Sequence, residues 1–499
     1  MDYLEYKSLG TFQRIGYDTG RFLKGVVWEI GGLFQSLGHG IVLFFGAVWD
    51  LLRLIFAALR DGDFKTRLSV LFMGASSLLR GQIVKGLLYL GSEAAFLAFL
   101  FMRGIGAIKG LYTLGTQTQH FKIVPGQVAK MVPGDNSMLM LLYGVFALFI
   151  FVVFAALYFM NLKSALRVQE AEEAGRKLPG LMDDLRAYMD EKFYVSLLAL
   201  PAIGVVVFTI LPLLFMILIA FTNYDSYHQP PGNLFHWMGL HSFNVLLGRT
   251  SASGLIGATF FPVLGWTLIW ALFSTASNYI FGILLALVIN KKGVRCKGLF
   301  RTIFVFSMAV PQFVSLLVFR TMLDDHGPLN GLLMQLHLVH NFVPFLSSPT
   351  FARVSLLVVN LWIGIPYTLL IATGILMNIP ADLFEAARID GASAAQVFVR
   401  ITLPYMLFVT TPYLITQFIG NLNNFNVIYL LTGGGPQTLS YYQAGKTDLL
   451  VTWLYSLTVN TRDYCFASAI GIFVFILSAV FSLIAFRHTA SYTNEEAFG

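Results

Sequence analysis

Apolar runs, each near the ~20 helical residues that cross ~30 Å of hydrocarbon, dominate this chain and leave it few folds. They cover about 87–102, 138–160, 195–221, 262–289, 302–323, 354–377, 404–431 and 466–486. Within hydrocarbon every backbone N–H and C=O must find a partner inside the protein, so runs of this length read as membrane helices. Composition agrees, with 57% of the 499 residues hydrophobic and 12% charged, where a soluble domain averages about 25% charged. The expected fold is an all-α integral membrane protein with about eight transmembrane helices.

Three segments follow from where the charges fall. Residues 1–80 hold no clean span. The run 37–60 carries Asp50 and Arg53, and each charge at a span centre costs about 2.5–3.5 kcal/mol on the insertion scale. Basic amphipathic helices lying in the membrane interface suit 1–80 better than a ninth span. No apolar h-region follows the charged first residues, so no cleaved signal peptide is expected. Residues 81–194 hold the first two spans and a charged helical connector. Residues 195–490 hold the remaining spans and the polar loop 380–404.

The basic residues set an orientation. Lys291, Lys292, Arg295, Lys297 and Arg301 crowd the connection between spans four and five, and Lys163, Arg167, Arg176, Lys177, Arg186 and Lys192 the one between two and three. Only Arg249 lies between three and four. The positive-inside rule then puts both termini and the 380–404 loop in the cytoplasm, although the connection 103–130 carries some basic residues outside. This topology accounts for the net charge of +7 without nucleic acid. Cys296 and Cys465 suggest neither a disulfide nor a metal site. No GxxxxGK[ST] stretch is present, so ATP hydrolysis is not expected of this chain.

The loop 380–404 reads PADLFEAARIDGASAAQVFVRITLP. Its alanines favour a short helix with a small, closely packable surface, Gly391 supplies a break, and Pro404 starts the chain back into the bilayer. Span seven is unusually polar. Gln417, Asn421 and Asn424 fall at i, i+4 and i+7, on one helical face, with Asn423 and Asn426 as a second pair. Such amides face a partner helix or a water-filled path rather than lipid. They donate and accept, which suits neutral hydroxyls, and the interleaved Phe418, Phe425 and Tyr429 offer faces for sugar rings. Helix-to-helix glue explains the spacing equally well. The turn 432–436, with three glycines before Pro436, is either a helix cap or a place where another surface approaches bare backbone.

The spacing of Glu385-Ala386-Ala387, Gly391, Ile401 and Leu403-Pro404 resembles the EAA signature of ABC-importer permeases. The resemblance implies that these seven residues form a coupling element docked in a cleft of a cytoplasmic ATP-binding subunit. From span three onward the chain is similar to the MalF family, the larger permeases of type I maltose/maltodextrin ABC importers. The segments that carry this are WIGIPY at 362–367, the EAA loop, NLNNF at 421–425, LLTGGGP at 430–436 and AGKTDLL at 444–450. The resemblance implies sugar contacts from Ile363, Gly364, Tyr367, Asn421 and Asn424. It implies a second homologous permease, two copies of the ATP-binding subunit holding ATP and Mg, an extracellular binding protein, and no cofactor in this chain, all in a bacterial cell membrane. Two departures stand out. Gly420 replaces an aromatic residue before the first Asn, and the connection 222–261 is far shorter than the folded extracellular domain of enterobacterial members. A lipid-anchored binding protein suits so short a connection. The expected cargo is a malto-oligosaccharide, with another neutral oligosaccharide such as a galacto-oligosaccharide as the alternative. A self-contained secondary transporter would instead need ionisable residues or paired broken helices at the membrane midplane, and no such set stands out.

Overall fold

The computed structural model describes residues 45–122, 130–176, 189–291 and 293–487, with isolated positions outside these ranges. The readings that concern 1–38, most of 177–188 and 488–499 lie outside the described residues. Seven described helices are long and apolar enough to cross a membrane, and an eighth span results when one sharply bent pair is counted as one. The chain divides into two compact units at 239/240.

In the first unit, helix α1 (45–60) exposes Phe45, Trp49, Leu52 and Phe56, and its Asp50 and Arg53 are exposed as well. Two short helices follow, α2 (Phe64–Leu71) and α3 (Ala75–Leu79). Asp63 caps α2 by accepting from the Thr66 N–H at 2.8 Å. The first span, α4 (Ile83–Thr113), is longer than the apolar run suggests and takes Arg103 and Lys109 into the helix. Glu93, a charge inside that span, accepts the Met73 N–H at 2.7 Å. A two-stranded antiparallel ribbon, β1 (His120–Lys122) and β2 (Lys130–Val132), occupies the expected loop, with Phe121 opposite Met131. The second span, α5 (Ser137–Glu173), begins at the cap Asn136 and absorbs the first part of the charged connector. The third, α6 (Phe193–Ile219), buries almost none of its surface.

The α2–α3 hairpin is seated on α5 by polar contacts. The buried Arg80 guanidinium meets Asp63 at 2.7 Å and Glu172 at 2.6 Å, and donates to Thr66 at 3.3 Å and to Ser76. Asn161 accepts the Gly74 N–H at 2.9 Å and donates to the Ser69 carbonyl at 3.1 Å. Gln169 accepts the Asp63 N–H at 3.0 Å.

The second unit is built around the packing of α8 (Gly254–Asn290) on α12 (Pro349–Asn378), after the short α7 (His241–Leu246). Helices α9 (Lys297–Ala309) and α10 (Gln312–Met322) form the bent pair, turning by 90°. The expected fifth span, 302–323, is therefore not one straight helix. Pro311 has no N–H to continue the ladder, and Val310 before it is extended with ψ 124°. The short α11 (Pro328–Gln335) precedes α12. Beyond α12 come α13 (Ala381–Ile389), α14 (Ala394–Leu422), α15 (Phe425–Thr432), α16 (Leu450–Ser456) and α17 (Tyr464–Arg487). One core joins Trp266 and Trp270 to Leu316, Leu356, Val359, Val427, Ile428 and Leu431. A second, nearer α13, gathers Tyr279, Ile283, Leu369, Ala372 and Met406.

Candidate functional site: an amide-lined pocket and a coupling helix

Span seven does not run unbroken from 404 to 431. Helix α14 ends at Leu422, Asn423 closes it, and Asn424 starts a separate helix by accepting the Val427 N–H at 3.2 Å. Asparagine is favoured at such a cap because its short side chain satisfies an orphan N–H. The i, i+4, i+7 face therefore holds for Gln417 and Asn421 but stops there. Asn424 rejoins them by another route, donating to the Asn421 Oδ1 at 3.4 Å. Asn421, 6% exposed, also donates to the Thr275 hydroxyl on α8 at 2.9 Å, so it does bind one helix to another.

A cavity of about 370 Å³ opens between α8, the start of α10, α12, α14 and α15. All five sugar-contact residues expected from the sequence, Ile363, Gly364, Tyr367, Asn421 and Asn424, line it. Eight carboxamides face it in all: Asn278, Gln312, Asn360, Gln417, Asn421, Asn423, Asn424 and Asn426. Among the described residues no acidic or basic side chain does. Its size lies in the ordinary range for small-molecule sites. Two buried polar atoms of the lining have no hydrogen-bond partner among the described residues, the Asn278 Oδ1 and the Asn360 Nδ2. An acceptor and a donor left bare in this way are costly unless a ligand or water meets them.

Sequence reading missed Asn278 and Asn360. Each is a single amide in an apolar run, without the clustering that marks span seven. Their signal is the run itself, since a lone carboxamide in a span turns inward. Of the aromatic residues, Phe425 lines the pocket and stacks on Tyr429 at 4.8 Å, with Tyr455 edge-on to both. Phe418 instead packs on Phe481 at 5.0 Å. Gly420 leaves its part of the wall bare.

The loop 380–404 folds as its composition suggests. Helix α13 carries Asp382 in its first turn and Arg388 in its last, matching the helix dipole. Gly391 follows with φ +71°, a left-handed conformation that closes the helix, its N–H on the Arg388 carbonyl at 3.1 Å. Ser393 then opens α14 with a reciprocal capping box to Gln396. Glu385 and Ala386 face outward, and Ala387 faces in. Leu383 and Ile389 are exposed, the latter by 86%. Ile401 lies in a π-turn (Phe398–Thr402), and Leu403 and Pro404 begin the regular α-helical part of α14.

The glycine turn serves the chain's own packing. Gly433 caps α15 at φ +59°, and a side chain at Gly434 would lie 2.2–2.4 Å from the Asp448 carboxylate. Asp448 accepts the Gly445 N–H at 2.7 Å, and Trp266 donates to the Thr447 carbonyl at 3.1 Å.

Residues 278–491 match the family described as binding-protein-dependent transport system inner membrane component. The maltodextrin transport system permease protein MdxF of Bacillus subtilis (strain 168) is 35% identical over 444 residues, covering 87% of this chain and 97% of the relative. The galactooligosaccharides transport system permease protein GanP of the same organism is 34% identical, covering 85% and 96%. The maltose/maltodextrin permease MalF of Vibrio parahaemolyticus serotype O3:K6 is 35% identical over about half of either chain. With spans of this number, an uncharged pocket and relatives alike along nearly their whole length, this chain belongs to the binding-protein-dependent transport permeases, as a transmembrane permease of an ABC sugar importer.

Proposed function

We propose that this permease carries malto-oligosaccharides, and that Ile363, Gly364, Tyr367, Asn421 and Asn424 contact the sugar. The observation that carries this is the lining, eight carboxamides and, among the described residues, no acidic or basic side chain. Carboxamides pair with hydroxyls in either direction, whereas an anionic cargo would call for basic groups. A galacto-oligosaccharide is the second reading, favoured by the near-equal likeness to GanP.

In this account a second, homologous permease closes the path. Two copies of a cytoplasmic ATP-binding subunit hold ATP and Mg, and this chain holds no cofactor. Helix α13 docks on one of them through Glu385, Ala386 and its exposed Leu383 and Ile389. Ala387 seats that helix on the permease, while Gly391, Ile401, Leu403 and Pro404 fix how it joins α14. Closure of the ATP-binding pair then moves α13 and α14 as a body, so nucleotide state and pocket access share one equilibrium. Both termini lie in the cytoplasm, by the distribution of Lys and Arg. An extracellular binding protein, lipid-anchored, delivers the sugar.

Uptake by the reconstituted complex tests the pocket. Asn421→Leu removes the bond to Thr275 and strands buried groups at ~1–3 kcal/mol, so uptake of maltotriose falls while the subunits still co-purify. Unchanged uptake kinetics for both malto- and galacto-oligosaccharides would return Asn421 to a purely structural role.

A further inference from the structure

We propose that Asn278 determines specificity by forming the floor of the pocket, its Oδ1 accepting a hydrogen bond from a hydroxyl of the bound sugar. The inference rests on the pocket being the sugar site. Asn278 is 8% exposed, and its Oδ1 is buried without a partner among the described residues. Buried carbonyl oxygens are nearly always paired, so this one is set to meet something that enters the cavity.

Two further observations fix its place. A Cβ at position 364 would lie 2.1–2.6 Å from the amide atoms of Asn278. Glycine at 364 is therefore what lets the Asn278 side chain cross from α8 to the face of α12. Asn278 and Gln417 also line a second, smaller cavity, one turn nearer α13, with Thr275, Tyr279, Thr368 and Tyr413. Its volume is about 10 Å³, the room of one water. Asn278 thus lines both the large pocket and a water-sized space, and the hydroxyl that its carbonyl accepts from enters by the large pocket. A sugar that presents no hydroxyl at that depth leaves the oxygen unpaired and is disfavoured.

The test is maltotriose uptake by the reconstituted full complex. Asn278→Leu keeps the bulk and removes the acceptor. It is expected to raise KM by roughly 3- to 10-fold, the range of one net hydrogen bond, with the change falling on KM rather than on the maximal rate. Gly364→Ala, which displaces the amide without removing it, is expected to raise KM more in the parent chain than in an Asn278→Ala background, where only the contact of position 364 with the sugar is altered. A KM within twofold of the parent for Asn278→Leu, or an equal effect of Gly364→Ala in both backgrounds, overturns the assignment. The Gly364 comparison decides the matter if Asn278→Leu does not assemble. A parent complex that takes up neither malto- nor galacto-oligosaccharides overturns the sugar site itself, and the role of Asn278 with it.

Discussion

Arg80→Met should release the α2–α3 hairpin from α5. The parent guanidinium is fully buried and reaches two carboxylates, Asp63 at 2.7 Å and Glu172 at 2.6 Å. Hydrogen bonds to charged groups are each worth ~1.5–3 kcal/mol net. The two acids are 36% and 42% exposed, so water recovers part of their solvation once the cation is gone. The loss is then ~2–3 kcal/mol rather than the full sum. Such a loss acts on local opening, not on the whole fold. Hydrogen exchange at the amides of 64–79 reads it directly. At ~1.4 kcal/mol per decade, exchange there should quicken by roughly 30- to 150-fold, with the amides of α12 unchanged. Arg80→Lys should fall between, because one ammonium does not reproduce the fork that holds both acids. Exchange in 64–79 that is unaltered by Arg80→Met would rule out Arg80 as the anchor and leave Asn161 and Gln169 as the contacts that hold the hairpin.

Gly391→Pro forces φ near −65° where the chain has +71° and removes an N–H bonded to Arg388; ATP-binding subunits should no longer co-purify with a permease that still inserts. Normal assembly in that variant would contradict the coupling role of α13. Burial pushes the Asp448 carboxyl up from 3.8 to about 6, against hydrogen bonds from Thr452 and the Gly445 N–H. The folded loop thus favours the protonated acid. Its stability is greatest at low pH, falls by about 3 kcal/mol between those two values at ~1.4 kcal/mol per unit, and is flat above them. Proteolysis of the 433–449 turn followed from pH 4 to 7 should show this slope, and Asp448→Asn should abolish it; equal slopes would exclude Asp448 as the titrating group.

The spans were legible because each must hide about twenty backbone units from lipid, and only long apolar runs do so. The EAA spacing was legible because Gly391 and Pro404 punctuate the chain locally. Three features were not. The break at Asn423–Asn424 hides in a stretch whose residues also suit a helix, and only the cap on Val427 reveals it. The Arg80 cluster joins residues about a hundred positions apart, Asp63 and Glu172 among them, which no local pattern registers. Asn278 and Asn360 gain meaning only when α8, α12 and α14 are brought together. The bend between α9 and α10 lay within reach, since Pro311 marks it, but an apolar run on both sides masked the stop.

The most direct test is the ATPase rate of the complex purified from native membranes, with its binding protein, with and without maltodextrin. This chain should bring down a second permease and an ATP-binding subunit, and hydrolysis should rise when binding protein and maltodextrin are both present. A chain that purifies alone, and moves sugar in vesicles on an ion gradient without ATP, would be a self-contained carrier and not a subunit of an ATP-driven importer.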